Sequence, residues 1–252
     1  MEVWQALFMI AIGCVAGFLN VLSGGGSLVT VPVMLMMDMP GPVANGTNRI
    51  AILAQNFTAV VTFFKKGYSD FRLSLSLAVA ALPGAVIGAL LGTRLEGEWF
   101  DRLVAFVMIA VMIVMATSKS GGKSEAQSGP QILTRKRLIW GHVCMVAAGF
   151  WGGFIQMGVG FILMPILHRV MGLDLVRVNM HKVFIILFYT FIVLAIFAWK
   201  VEILWMLGIF LAIGNSIGGW LGAHLSVKRG EKVITIVLNI VLTGFIIKLL
   251  FF

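Results

Sequence analysis

The sequence predicts an all-α polytopic membrane protein built as two inverted repeats of about five helical elements each. Short Gly-broken second elements are expected to meet near the midplane. Three observations predict this. Apolar stretches of about 20 residues recur along the whole length, which is the length that crosses a bilayer as a helix. Hydrophobic residues make up 60% of the chain and charged residues only 12%, about half the charge a soluble domain carries. Finally, Ser23-Gly24-Gly25-Gly26-Ser27-Leu28-Val29-Thr30-Val31-Pro32 is echoed by Gln156-Met157-Gly158-Val159-Gly160-Phe161-Ile162-Leu163-Met164-Pro165. Pro32 and Pro165 stand 133 positions apart, and the same shift lays Thr47-Asn48-Arg49 on Met180-His181-Lys182.

In chain order, apolar segments fall near 3–22, 28–39, 44–64, 73–93 and 99–117. A polar stretch over about 118–137, rich in Ser, Gly, Lys, Gln and Pro, reads as a linker between repeats 1–117 and 138–252. Segments near 138–155, 161–171, 176–197, 203–226 and 231–252 follow. The second element of each half is about 10–12 residues, too short to span comfortably and suited to a re-entrant or broken helix. Further along, Gly84-Ala85-Val86-Ile87-Gly88 matches Gly218-Gly219-Trp220-Leu221-Gly222, both small-xxx-small patterns that let helices approach closely in lipid.

An odd number of elements per half turns the second half upside down, and positive charge tests this. With five elements, Arg49, Arg94, Arg102, Lys200 and Lys248 fall on one side and the other 14 of the 19 Lys and Arg residues on the opposite side. Four crossings per half would divide them 10 against 9. The expectation is therefore a bacterial inner-membrane protein with a cytoplasmic linker and both termini periplasmic. The opening Met1-Glu2 lacks a basic region, so no cleavable signal peptide is expected.

The net charge of +9 resides in short loops, where it sets topology and does not point to nucleic acid. Cys14 and Cys144 form no metal spacing or disulfide framework, and no metal or cofactor is expected. His142, His168 and His224 show no ligand spacing and read as interfacial or packing residues. Trp4, Trp99, Trp140, Trp199 and Trp205 lie near segment ends, as an interfacial aromatic belt requires. All ten acidic residues lie at ends or in loops, so no buried carboxylate proton relay is visible.

The candidate binding residues are Gly24, Gly25, Gly26, Ser27, Asn45, Thr47, Asn48, Arg49 and Gln55 in the first half. Gln156, Gly158, Gly160, Asn179, His181 and Lys182 are those of the second. The Gly breaks read either as tight helix packing or as hairpin tips whose backbone N–H groups, helped by the helix dipole, hold an anion. Gly25 and Gly158 are the expected tips. Arg49 and Lys182 read either as snorkelling cations or as members of a site, since a cation inside a membrane segment is a functional candidate by default. Gln55 and Asn56 correspond to Phe188 and Tyr189, so a site shared by the halves is asymmetric.

These residues resemble the TauE/SafE family of sulfite and organosulfur anion exporters across nearly the whole chain. The marks are Gly24 through Pro32, Gly46-Thr47-Asn48-Arg49 and Lys66-Gly67-Tyr68-Ser69-Asp70. A weaker second copy is Gly158 through Pro165 with Asn179-Met180-His181-Lys182. The resemblance implies that the Gly breaks and the residues after them surround the substrate, and that the protein exports a small sulfur-containing anion. An anion channel, a non-transporting assembly partner, and an intramembrane hydrolase using Ser23 or Ser27 with His181 are the competing readings. The expected partners are a small anionic substrate and the lipid bilayer, with a second copy of the chain as a further candidate.

Overall fold

The computed structural model describes residues 3–117 and 134–226. The core of the expected linker and the last expected segment, 231–252, lie outside the described residues, as do Lys119, Lys123, Lys228, Arg229, Lys232 and Lys248. The described residues form nine α-helices: α1 (Val3–Ser23), α2 (Ser27–Leu35), α3 (Gly41–Lys65), α4 (Phe71–Gly92), α5 (Glu98–Thr117), α6 (Arg135–Phe154), α7 (Val159–Pro165), α8 (Leu175–Lys200) and α9 (Trp205–Ser226). Four spans, Trp4–Leu22, Phe71–Gly92, Leu175–Lys200 and Trp205–Ser226, are long and apolar enough to cross a membrane. The described residues are therefore all-helical, and the protein is multi-pass.

Local chemistry sets the boundaries. Gly24 at φ +85° ends α1, and α2 restarts three residues later. Pro42 in the first turn of α3 supplies a preset φ where no N–H partner is needed. Asp70 caps α4 by accepting from Leu73 N at 3.2 Å. Asp174 caps α8 by accepting from Val176 N and Arg177 N at 3.1 and 3.0 Å. In the second break Gln156 and Gly158 both adopt positive φ, +64° and +69°, before α7 begins. After Pro165 the chain continues as one π-helical turn over Ile166–Val170, so the short element is α7 plus that turn.

Small residues set the packing. α1 lies against α9, where a Cβ on Gly214 would meet Ile10 O at 2.0 Å and one on Gly218 would meet Cys14 O at 2.0 Å. α4 lies against α6 the same way: a Cβ on Gly84 would meet Val146 O at 2.0 Å, and one on Gly88 Phe150 O at 2.1 Å. Cys14 and Phe18 of α1 thus occupy the places of Val146 and Phe150 of α6. In both pairs the residue numbers rise together, so the paired helices are parallel. α3 parallels α9, with Thr47 beside Gly208 and Gln55 beside Gly219. α8 opposes α3, since Phe197 sits over Arg49 while Met180 and Val183 pack with Ala59 and Phe63. Ser76 near the start of α4 hydrogen-bonds His142 near the start of α6, and the end of α6 reaches the start of α3. Hence α1, α3 and α9 run one way, and α4, α6 and α8 the other.

Two large apolar cores result, with a smaller one of Val21, Ala59, Phe63, Met180, Val183 and Ala223 where α1, α3, α8 and α9 meet. One large core joins α1, α2, α5 and α9; the other joins α4, α6, α7 and α8; α3 contributes to both. Helix α5 reaches its core through side chains: Phe100 covers Gly41, and Val107 and Val111 face Gly158. Trp4, Trp99, Trp140, Trp199 and Trp205 are all more than half exposed, at 53–78%, as an interfacial belt requires.

Candidate functional site

The two Gly breaks meet backbone to backbone. A Cβ on Gly24 would stand 2.2 Å from Gly160 Cα, and one on Gly160 would stand 2.1 Å from Gly24 Cα. Close approach therefore occurs at Gly24 and Gly160. Gly158 faces Val111 of α5 instead, and Gly25 is simply buried. Gly26 is held against α1, where its Cβ would meet Ala16 O at 2.2 Å.

Around this contact lie the two cations. Arg49 is 0% exposed, and it sits where α6 ends. The last four carbonyls of a helix have no partner inside it. Here Trp151 O accepts from Ile155 N, Gly152 O and Gly153 O accept from Arg49 at 3.0 and 2.6 Å, and Phe154 O accepts from Asn45 Nδ2 at 2.9 Å. Arg49 also donates to Gln156 Oε1 and Asn45 Oδ1, each at 3.3 Å, and its guanidinium stands 4.5 Å over the Phe197 ring. Tyr189 OH donates to the same Gln156 Oε1 at 3.2 Å. One guanidinium donor, Nε, has no partner.

Lys182 repeats this in the other half. It is 0% exposed and donates to Val21 O, near the end of α1, and to Asn179 Oδ1, both at 2.8 Å. Asn179 Nδ2 in turn donates to Ser226 Oγ at 2.8 Å. Each half's cation therefore holds the end of the other half's first helix. Neither reaches a surface, so snorkelling does not describe them. Among the described residues neither has an acidic partner; the ion pairs there, Arg102–Glu98 and Arg177–Asp174, are exposed.

The remaining candidates divide by where the fold turns them. Asn48 donates to Ser27 Oγ at 3.2 Å and accepts from Thr30 Oγ1 at 2.7 Å, tying α3 to the start of α2. Gln55 accepts from Asn20 Nδ2 at 3.1 Å, leaving its own Nε2 unpaired. Thr47 turns away and accepts from Leu204 N at 3.2 Å, fixing the α8–α9 loop. His181 hydrogen-bonds Ser74 at 2.8 Å, so the His181–Ser27 pairing a hydrolase would need is not made. The side chain of Ser23 lies outside the described residues.

Several residues were not singled out from the sequence. Tyr189 and Phe197 complete the setting of Arg49, and Asn20 and Thr30 complete the amide and hydroxyl contacts. Asn215 on α9 is 1% exposed with both ends of its amide unpaired, and Asn56 Oδ1 and Thr190 Oγ1 are likewise buried and unpaired. A usable signal existed for all but Phe197: these are polar residues inside largely apolar runs, and Tyr189 is one of only two tyrosines in the chain.

The comparisons with known proteins follow from the same residues. The profile of the family described as Sulfite exporter TauE/SafE matches residues 9–249. The chain is 25% identical to the probable membrane transporter protein ORF9 of Sinorhizobium sp., covering 96% of this chain and 91% of that one. It is 26% identical to a probable membrane transporter protein of Haemophilus influenzae, covering 90% and 87%. It is 22% identical to the probable membrane transporter protein YfcA of Escherichia coli K12, covering 100% and 95%. No solved structure matches the chain.

Proposed function

The chain belongs to the sulfite exporter TauE/SafE family, a family of membrane transporters, and from that premise we propose that it exports a small sulfur-containing anion such as sulfite or an organosulfonate. The observation that carries the proposal is the pair of buried cations, Arg49 and Lys182, beside two touching Gly breaks, with no carboxylate among the described residues to neutralise them. A buried charge satisfied only by dipoles favours a mobile counter-ion, because Coulomb attraction strengthens as the dielectric falls. At an effective constant of about 20 and 4 Å it is about 4 kcal/mol.

Arg49 is the main anion contact in this reading. Its planar fork grips two oxygens of a sulfite or sulfonate, and the entering anion displaces the Gly152 and Gly153 carbonyls that occupy the fork. The unpaired Arg49 Nε is a donor already in place for a further oxygen, and Gln55 Nε2, about 9 Å farther along α3, is a second unpaired donor. Asn45, Gln156 and the backbone of the breaks complete the first-half site. Lys182 with Asn179 acts as the second, weaker station. An interior-negative potential favours anion exit by about 2.3 kcal/mol per charge per 100 mV, so export needs no buried acid.

The matched pairings α1–α9 and α6–α4, with corresponding helices running oppositely, support two inverted repeats that rock about the α3–α8 contact. In this arrangement the linker is cytoplasmic. Purified protein in vesicles of inside-negative potential tests the function. Saturable sulfite or methanesulfonate efflux, with little chloride flux, is expected. Equal, unsaturable passage of chloride would mark a channel, and no flux of any anion would overturn the proposal.

A further inference from the structure

A second basic feature lies away from the breaks, at the end where α3 and α9 both finish. A cleft of about 290 Å³ opens there between the two helices, lined by Phe57, Val61, Lys65, Lys66, Trp220 and His224, with Thr58 and Thr62 on its wall. Both threonine hydroxyls donate to carbonyls one turn back, Ala54 O and Thr58 O, so that wall offers little free polarity. Among the described residues no acidic side chain lines the cleft.

Its two ends differ in chemistry. The helix-end side carries Lys65, Lys66 and His224, whose ring lies 4.9 Å from that of Trp220 and whose Nδ1 is buried without a partner. The other side is Phe57, Val61 and the flank of Trp220, with Phe57 61% and Trp220 47% exposed. From Phe57 to Lys66 is nine residues, about 13 Å of helix, roughly the depth of the outer part of one leaflet. A basic head end passing into an apolar wall over that depth matches a phospholipid, not a small soluble anion. Lys66 also donates to His224 O at 3.2 Å, which serves the end of α9. That contact accounts for neither Lys65 nor the apolar wall.

We propose that this cleft is a binding site for an anionic phospholipid. The phosphate lies at Lys65, Lys66 and the His224 ring, and an acyl chain lies along Phe57, Val61 and Trp220. Charge complementarity selects the occupant, since basic pockets between membrane helices take anionic head groups. The site is separate from Arg49 and Lys182 and stands whether or not sulfur anions are transported.

Native mass spectrometry of the full chain in detergent tests it, titrating phosphatidylglycerol against phosphatidylcholine. Glycerol 3-phosphate and inorganic phosphate supply the head-group chemistry without tails. Wild type is expected to retain one phosphatidylglycerol in preference to phosphatidylcholine. Lys65→Gln should weaken retention about fivefold, the equivalent of about 1 kcal/mol per lysine, while Lys65→Arg restores it. Val61→Trp should fill the apolar end and expel the lipid with both lysines intact. Lipid-free thermal unfolding of Lys65→Gln should match wild type, showing that the fold is kept. Equal retention of the two lipids, or of phosphatidylglycerol by wild type and Lys65→Gln, would overturn the proposal. Protection by inorganic phosphate equal to that by the lipid would assign the cleft to a soluble anion and overturn it as well.

Discussion

Replacing Gly24 with alanine should force the two halves apart, and the structure separates the costs. The new Cβ would lie 2.2 Å from Gly160 Cα. Carbon atoms rest at about 3.5–4.0 Å, so the backbones must separate by about 1.5 Å or the site must distort. A second cost is conformational, because Gly24 sits at φ +85°. Two other glycines isolate the two terms. Gly67 has φ +81° with nothing within 4 Å, so Gly67→Ala carries the conformational cost alone, about 1–2 kcal/mol. Gly160 has no positive φ, and its Cβ would meet Gly24 Cα at 2.1 Å, so Gly160→Ala carries the crowding alone, about 1–3 kcal/mol. Gly24→Ala should cost about 2–5 kcal/mol, a large part of a typical total stability. The double variant Gly24→Ala/Gly160→Ala should cost less than the sum of its singles, since one separation relieves both Cβ atoms. Denaturant unfolding of the four variants in detergent reads this order. A Gly24→Ala cost no larger than that of Gly67→Ala would refute the contact between the breaks.

Three further outcomes follow from the same geometry. Arg49→Gln should weaken sulfite binding, measured calorimetrically, about tenfold or more, Arg49→Lys less, and Lys182→Gln least, since a lysine restores charge without the fork; unchanged affinity in both glutamine variants would leave the backbone N–H groups as the anion contacts. Asn215→Leu should be neutral or stabilising by about 1 kcal/mol in thermal unfolding, because it removes an amide with both ends buried and unpaired; a clear loss of stability would show that the amide has a partner. Single cysteines placed across Ser120–Gly129, after replacement of Cys14 and Cys144, should react with membrane-impermeant reagents only from the cytoplasmic side, and labelling from outside would reject the inverted topology.

Much of the helical order was legible in the residues. Lipid demands that a spanning backbone satisfy itself within a continuous apolar helix, so segment existence can be read locally. The expected break between segments 3–22 and 28–39 falls where α1 gives way to α2, and the expected short element near 161–171 overlaps α7 and its π-helical turn. Gly84 and Gly88 meet α6, and Gly218 and Gly222 meet α1, as small-xxx-small spacing requires. Arg49 and Lys182 were recognisable as costly cations because composition and position alone set that cost. What they touch was not recognisable. Nothing in Asn48-Arg49 says that one side chain turns to Ser27 and Thr30 while its neighbour turns to the end of α6. Thr47, one residue earlier, turns to a third place, Leu204 N.

The sequence by itself therefore determined a helical membrane protein, its breaks, its repeated pattern and its costly polar residues. Only the tertiary structure decided that Gly24 meets Gly160, that Tyr189 and Phe197 complete the setting of Arg49, and that each half's cation holds the other half's helix end. The reason is physical. Capping, hydropathy and glycine conformation act over a few residues of chain, whereas these contacts join residues more than 100 positions apart, or 33 for Tyr189 with Gln156. Helix register and rotation fix them, and those are set by how whole faces pack.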